Sequence, residues 1–335
     1  MNFSIKAPAG FDFKRTLNSH GWCELLPFEW VDNSTLVRVL DLPEAAPVTV
    51  TVKGDRRALS VSTSRRLSKR ALARVERDVR HIFRLDDRLE EFYASISDDP
   101  EFSWIARDGA GRLLRSPTVF EDLVKSITTT NCSWSLTRKM VTELVNNLGR
   151  EGSDGRRTFP TPEAMAAQPV EFYRDVVRAG YRADYLKELA VRVASGELEV
   201  ESWVASELPT DRLKREMKRV KGVGDYAAEN LLKLVGRYDV LALDSWVRGK
   251  FAKARGRGRA CDDKKNRALL LALPRVARPR ALVRHDARLV RGNQVGSKQK
   301  TEGRKQKAVK TAGRMARTNK AVGRKAEGSQ AFIMS

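Results

Sequence analysis

The run LKREMKRVKGVGDYAAENLLKLVGRYDVLALDSWVRGKF, residues 213–251, leaves few folds open. Leu213, Met217 and Val220 recur at helical spacing. After an interruption, Ala227, Ala228, Leu231, Leu232 and Val235 do so again. The interruption is Gly222-Val223-Gly224, two residues without a Cβ that allow positive φ and the close approach of another surface. The pattern predicts two helices joined by a tight turn. Asp225 is expected to cap the second helix, whose free N–H groups and positive dipole end then point outward at an anion. Lys218, Arg219 and Lys221 add charge on that side. Such a turn grips a nucleic-acid phosphate without reading sequence. An ordinary helical hairpin would also carry these glycines, so the turn alone does not decide the function.

A carboxylate adds a second constraint. Asp244 stands twenty residues after Gly224, behind the apolar Leu241-Ala242-Leu243 and ahead of a further predicted helix start at Ser245. At such an N-cap the helix dipole favours the ionised side chain. Capping by itself would explain the residue, but hairpin and aspartate at this interval form a more specific pair.

On these residues (Val220, Lys221, Gly222, Val223, Gly224 and then Asp244) the chain resembles the helix-hairpin-helix DNA glycosylase superfamily, which includes 3-methyladenine DNA glycosylase II and 8-oxoguanine glycosylase. Lys221 stands where that family commonly has Pro, so the turn is less preset by ring closure. The resemblance extends to FEDLVKSITTTNCSWSLTRKMVTELVNNLG, residues 120–149, similar to the family's helix, polar loop and helix. It implies that this loop enters the duplex and fills the gap left by an extruded nucleotide. Asn131 then matches a polar residue of the 8-oxoguanine branch, whereas Cys132 departs from its usual second Asn. GYRADYLKELA, residues 180–190, is similar to another segment of that branch. By that likeness Tyr181 wedges against the duplex and Arg182 faces the orphaned base. Capping for Asn131, and ordinary surface roles for Tyr181 and Arg182, remain open alternatives.

The implied chemistry is cleavage of an N-glycosidic bond after the nucleotide is turned out of the stack. The sugar gains oxocarbenium-like charge in the transition state, which a fixed carboxylate favours over the neutral substrate. Asp244 is the candidate for this role and for orienting or deprotonating the attacking water. Family members that also cut the strand use a Lys two positions after the second Gly, forming a Schiff base with the sugar. Here that position is Tyr226, and Lys233 lies about two helical turns further on. A monofunctional enzyme that leaves an abasic site is therefore expected. Tyr226, Trp246 and Trp134 could line a base pocket whose π faces suit the positive charge of an alkylated purine. Trp246 and Trp134 could equally be packing residues. Leu136 occupies the place where the 8-oxoguanine branch has an Arg that helps read the opposite cytosine. The alkylpurine reading leads; an 8-oxoguanine-type glycosylase, a DNA-binding protein that has lost catalysis, and a structural nucleic-acid protein dominated by its basic tail are the alternatives.

Composition bounds these readings. The chain has 335 residues, 41% of them apolar, enough for one or two sizeable cores. Its net charge is +22, of which residues 278–335 supply +13 through 16 basic and 3 acidic side chains. That excess suits a polyanion without identifying an activity. Cys23, Cys132 and Cys261 are few, dispersed and odd in number, fitting a reducing compartment. They do not supply the four-Cys iron–sulfur cluster of the endonuclease III and adenine glycosylase branches. With only His20, His81 and His285 besides, no metal-ligand constellation is expected. No cofactor is expected either, except a monovalent cation that hairpin carbonyls could hold. The amino-terminal MNFSIKAPAGFDFKRTL lacks the apolar core of a signal peptide, and no stretch suits a bilayer. The expected partner is double-stranded DNA containing a damaged base, bound by a monomer. The expected location is the nucleoid-associated cytoplasm in a bacterium or the nucleus in a eukaryote.

The expected fold is mainly α with an N-terminal α+β domain. Residues 1–114 carry the β-branched runs LVRVLDL, VTVTVKG and ALSVSTS, which predict an antiparallel sheet, followed by helices near 68–84 and 87–96. Residues 115–277 predict the helical block, broken at 149–155 and restarted at Pro160-Thr161-Pro162. A groove for the flipped base is expected between the two. Residues 278–335 form a basic tail, expected to be disordered in isolation and to meet DNA through salt-dependent contacts, or to have no specific role.

Overall fold

The computed structural model describes residues 1–42, 45–98 and 103–240. All of them fall in one unit spanning Met1–Ala287. Asp244, Trp246, Cys261, His285 and the basic tail lie outside the described residues, as does the end of the helical block.

Five antiparallel strands open the chain: β1 (Asn2–Lys6), β2 (Phe28–Asp32), β3 (Thr35–Leu40), β4 (Val48–Gly54) and β5 (Ala58–Thr63). Their order is β1-β5-β4-β3-β2. The three interior strands are the runs expected from β-branched composition. Val48, Val50 and Val52 of β4 and Leu59 and Val61 of β5 point into the core, as a period of two requires. The edge strands β1 and β2 are an addition to that expectation. β1 buries only Ile5 and β2 only Phe28, so neither carries a readable alternation.

The helices are α1 (Phe13–Leu17), α2 (Lys69–Phe83), α3 (Glu90–Ala94), α4 (Ser103–Arg107), α5 (Val119–Thr129), α6 (Trp134–Leu148), α7 (Pro162–Ala166), α8 (Arg182–Ala194), α9 (Thr210–Met217) and α10 (Asp225–Leu234). Ser68 caps α2 by accepting the Ala71 N–H, and Thr161 caps α7 with Pro162 just inside. The second helix expected near 87–96 is the shorter α3. The Gly-rich break at 149–155 closes on itself through a single bridge, Glu151 to Arg157.

One core runs from the sheet into the helical block. Val75, Val79, Ile82 and Phe83 of α2 are buried, and the Phe83 ring stacks on Phe13 at 4.8 Å. α5 is the central helix, with every residue from Val119 to Thr128 buried. Glu201 holds its start, its carboxylate accepting the N–H groups of Val119 (2.9 Å) and Phe120 (3.0 Å). A buried ion triad pins α5 to the sheet. Arg38 of β3 donates to Glu121 at 3.0 and 2.5 Å, and Lys125 donates to the same carboxylate at 2.6 Å. Both cations also lie over the Phe28 ring. Charges withdrawn from water this far need good pairing geometry, which the bidentate arginine supplies.

The carboxyl end of α10 is held in the same manner. Arg84 donates to the Lys233 carbonyl at 2.8 Å and Arg115 to the Leu234 carbonyl at 3.0 Å. Two cations there complement the negative end of the helix dipole and leave its other end outward.

Candidate nucleic-acid interface

α9 and α10 are the expected helices, and the turn between them is the expected glycine turn. Leu213, Met217, Val220, Ala227, Ala228, Leu231, Leu232 and Val235 are all buried. Gly222 has φ +86, the left-handed region where a side chain is strained. Gly224 differs from the expectation, with φ −82 and ψ −175. Any residue could adopt that backbone. What distinguishes Gly224 is space, since nothing lies within 4 Å of where its Cβ would be. Val223 buries its side chain and leaves only backbone to meet a ligand.

Asp225 does not cap α10. Gly224 occupies the N-cap, and Asp225 is the first helical residue. Its carboxylate pairs with Lys214 at 2.9 Å and Lys218 at 3.1 Å, which hold its pKa below the usual carboxylate range. The side chain is drawn toward α9 because two ammonium groups outcompete a backbone N–H. The N–H groups of the first turn thus have no side-chain cap. An anion arriving there would find open donors and a dipole of the right sign.

The turn rests on α8. The Tyr185 ring lies under Gly222, and Lys221 pairs with Glu188 at 2.5 Å. Tyr185 meets Tyr181 edge-on, with ring centroids 5.9 Å apart. Tyr181 is 51% exposed, and its hydroxyl lies 3.5 Å from the Thr130 hydroxyl and carbonyl. Asn131 follows at the tip of the α5–α6 loop, exposed and in the left-handed region at φ +46. Lys221, Gly222, Tyr181 and Asn131, separated by up to 91 residues, are thus linked in one surface by Tyr185, Glu188 and Thr130. Tyr185, Thr130 and Glu188 match no motif of their own in the sequence. The signal for Tyr185 was its place four residues after Tyr181, on the same helix face.

Arg182 departs from its expected role. It is only 4% exposed and faces no open surface. Nε donates to Thr130 Oγ1 at 3.2 Å, Nη2 to the Thr130 carbonyl, and Nη1 to the Ala179 carbonyl at 3.3 Å. Its guanidinium lies over the Tyr181 ring, 4.4 Å from the centroid. Three acceptors and a π face leave it no reason to extend into solvent.

Two of the three pocket candidates, Trp134 and Tyr226, fall among the described residues. Trp134, the first residue of α6, donates its indole N–H to Glu24 at 2.8 Å and packs its ring against Gly21. Nearby, Trp22 donates to the buried Asp122 at 2.8 Å, and burial pushes that carboxyl up to about 6. Tyr226 is half-buried in the first turn of α10, its carbonyl accepting from Asn230 at 3.0 Å. Asp244 and Trp246 lie outside the described residues, so their distances from this surface are not part of the geometry. Among the described residues no group of three or more His, Cys, Asp or Glu could hold a metal ion. No helix among them is long and apolar enough to cross a membrane.

No family model matches the chain. A protein of Methanothermobacter thermautotrophicus described as a probable N-glycosylase/DNA lyase is 24% identical over 269 residues, covering 73% of this chain and 83% of its own. Among solved structures, MBOgg1 in complex with a low-affinity DNA ligand superposes with a TM-score of 0.68 at 21% identity, covering 88% of this chain and 96% of that one. The 3-methyladenine DNA-glycosylase of Archaeoglobus fulgidus gives 0.66 at 22% identity, covering 86% and 96%.

Proposed function

From the premise that this chain has the helix-hairpin-helix DNA glycosylase fold, we propose that it is a DNA N-glycosylase of base excision repair. In this reading it is monofunctional and releases an alkylated purine by hydrolysis to leave an abasic site. The observation that carries the reading is the continuous surface of Lys221, Gly222, Tyr185, Tyr181 and Thr130-Asn131. An uncapped helix start beside Gly224 takes a backbone phosphate, and an exposed aromatic and a loop tip beside it enter the stack. An ordinary helical hairpin would not need this neighbourhood.

Asp244 supplies the carboxylate for the oxocarbenium-like sugar and for the attacking water. The glycosidic bond breaks with its electron pair leaving on the base, and the water oxygen bonds to C1′ as its proton passes to the carboxylate. The absence of strand cutting rests on the amines present. Position 226 is Tyr, and Lys233 is buried in the last turn of α10, nine residues or roughly 13 Å along the axis from Gly224. A phosphate-bound duplex at the opposite end is out of its reach. An alkylated purine is favoured over 8-oxoguanine because Leu136 offers no base-reading group and Arg182 is occupied by Thr130.

Single-turnover assays on duplexes that each hold one lesion test the reading. Release of an alkylated purine is expected, slowed by roughly a hundredfold or more in Asp244→Asn, the usual loss for one transition-state-stabilising group. Near-unchanged rates in that variant would remove Asp244 from the mechanism. DNA binding without release from any lesion would make the protein a binding module. A borohydride-trapped crosslink would overturn the monofunctional assignment.

A further inference from the structure

We infer that Arg182 is a positioning residue that props the Thr130-Asn131 loop tip, and that the protein is in consequence indifferent to the base opposite its lesion. The inference deepens the glycosylase reading and rests on it for the meaning of an opposite base.

The Thr130 carbonyl is the last before Asn131, whose φ of +46 turns the chain outward. Asparagine enters the left-handed region more readily than other residues with a Cβ, so the turn itself suits Asn131. What Arg182 fixes is the residue before it. Its guanidinium fixes the Thr130 carbonyl through Nη2 and the Thr130 hydroxyl through Nε. That hydroxyl donates its proton to the Ile127 carbonyl at 2.8 Å, so it can only accept from Arg182. Nη1 is tied to Ala179, at the bend before α8. Tyr181 covers the guanidinium face and reaches Thr130 from the other side. The wedge and its support are therefore bonded together with α8, and α8 also carries the hairpin through Tyr185 and Glu188.

A guanidinium can serve as a strut or as a base reader; with three of its five N–H groups engaged and the residue only 4% exposed, Arg182 is built in as a strut. Extending Arg182 to a base edge would break three hydrogen bonds and leave the Thr130 carbonyl only the long contact from the Tyr181 hydroxyl at 3.5 Å. Leu136 offers no hydrogen bond at the other candidate reading position. The loop tip itself presents Asn131, whose amide carries both donors and acceptor and fits any of the four bases.

The test is fluorescence anisotropy with the full chain and four duplexes holding a tetrahydrofuran abasic analogue opposite A, C, G or T. A residue that reads a base discriminates by roughly tenfold or more. Wild-type affinities are expected to agree within about threefold across the four, far below that margin. Arg182→Ala should weaken all four alike, with binding to undamaged duplex nearly unchanged. A 2-aminopurine beside the analogue adds a readout independent of affinity. At saturating protein its fluorescence gain should drop in Arg182→Ala and return in part in Arg182→Lys, whose amine can still reach the Thr130 carbonyl. Thr130→Val, which removes one acceptor and leaves Arg182 intact, should shift the signal in the same direction and covers the case of an unfolded Arg182→Ala. A wild-type preference of tenfold or more for one opposite base would overturn the inference. So would an unchanged 2-aminopurine signal in folded Arg182→Ala and Thr130→Val. None of these measurements requires base release, so loss of the glycosylase reading would be seen separately, in the lesion panel.

Discussion

Gly222 and Tyr185 are packed so closely that a Cβ on the glycine would stand 2.9 Å from the ring's Cδ2. The contact fixes the glycine turn to the helix that carries the exposed Tyr181. It also separates the roles of the two hairpin glycines.

Gly222→Ala meets both the ring and a left-handed φ of +86, so it should destabilise the fold by about 1–2 kcal/mol from backbone strain, plus the clash. Gly224→Ala meets neither and should change stability by less than about 0.5 kcal/mol. Its methyl group instead occupies the open space an approaching phosphate needs, so duplex affinity should fall. Urea unfolding and anisotropy on the same two variants check the contrast. Equal losses of stability would refute the division of roles.

Lys221 is paired with Glu188 in the free protein, and this carboxylate also repels phosphate. Glu188→Gln should therefore raise duplex affinity by roughly twofold to fivefold at low salt, with the gain shrinking as salt is added. Titrations at two ionic strengths would show it. A loss of affinity would mean that Glu188 orders Lys221 for binding.

Removing the carboxylate from the buried triad should be severe. Glu121→Gln leaves Arg38 and Lys125 without a counter-charge and should cost about 3–5 kcal/mol. Replacing all three by apolar residues of similar volume should restore much of that loss. Chemical denaturation of both proteins measures the difference.

His81 gives the fold an acid limb. Burial, and then the positive charges of Arg115 and Arg84, hold its pKa at about 3 against an ordinary 6.5, with Asp87 opposing them weakly and Arg74 adding to them. The unfolded chain binds the proton more readily, so this contribution to stability is complete above about pH 6.5 and is lost as pH falls toward 3. Arg115 and Arg84 are the same groups that hold the end of α10. Unfolding free energies from pH 7.5 to 4.5 should decline less steeply in His81→Gln than in wild type. Parallel curves would show that His81 does not titrate between the two states.

The sequence by itself determined the elements whose signals are local. The glycine turn, the flanking helices, α5 and α6 around their polar loop, and the three interior strands were legible because each is written in the spacing of neighbouring side chains. Tertiary structure decided what those side chains face. Arg182 looked like a base reader until its acceptors at Thr130, fifty-two residues away, were in place. Asp225 looked like a cap until Lys214 and Lys218 drew it aside. The edge strands β1 and β2, and the arginines that hold α10, likewise depend on partners remote in sequence. Periodicity reports which face of an element is apolar. Where a charge or a carbonyl finds its partner is set by chain folding, because hydrogen bonds and ion pairs act over a few ångströms of space regardless of distance along the chain.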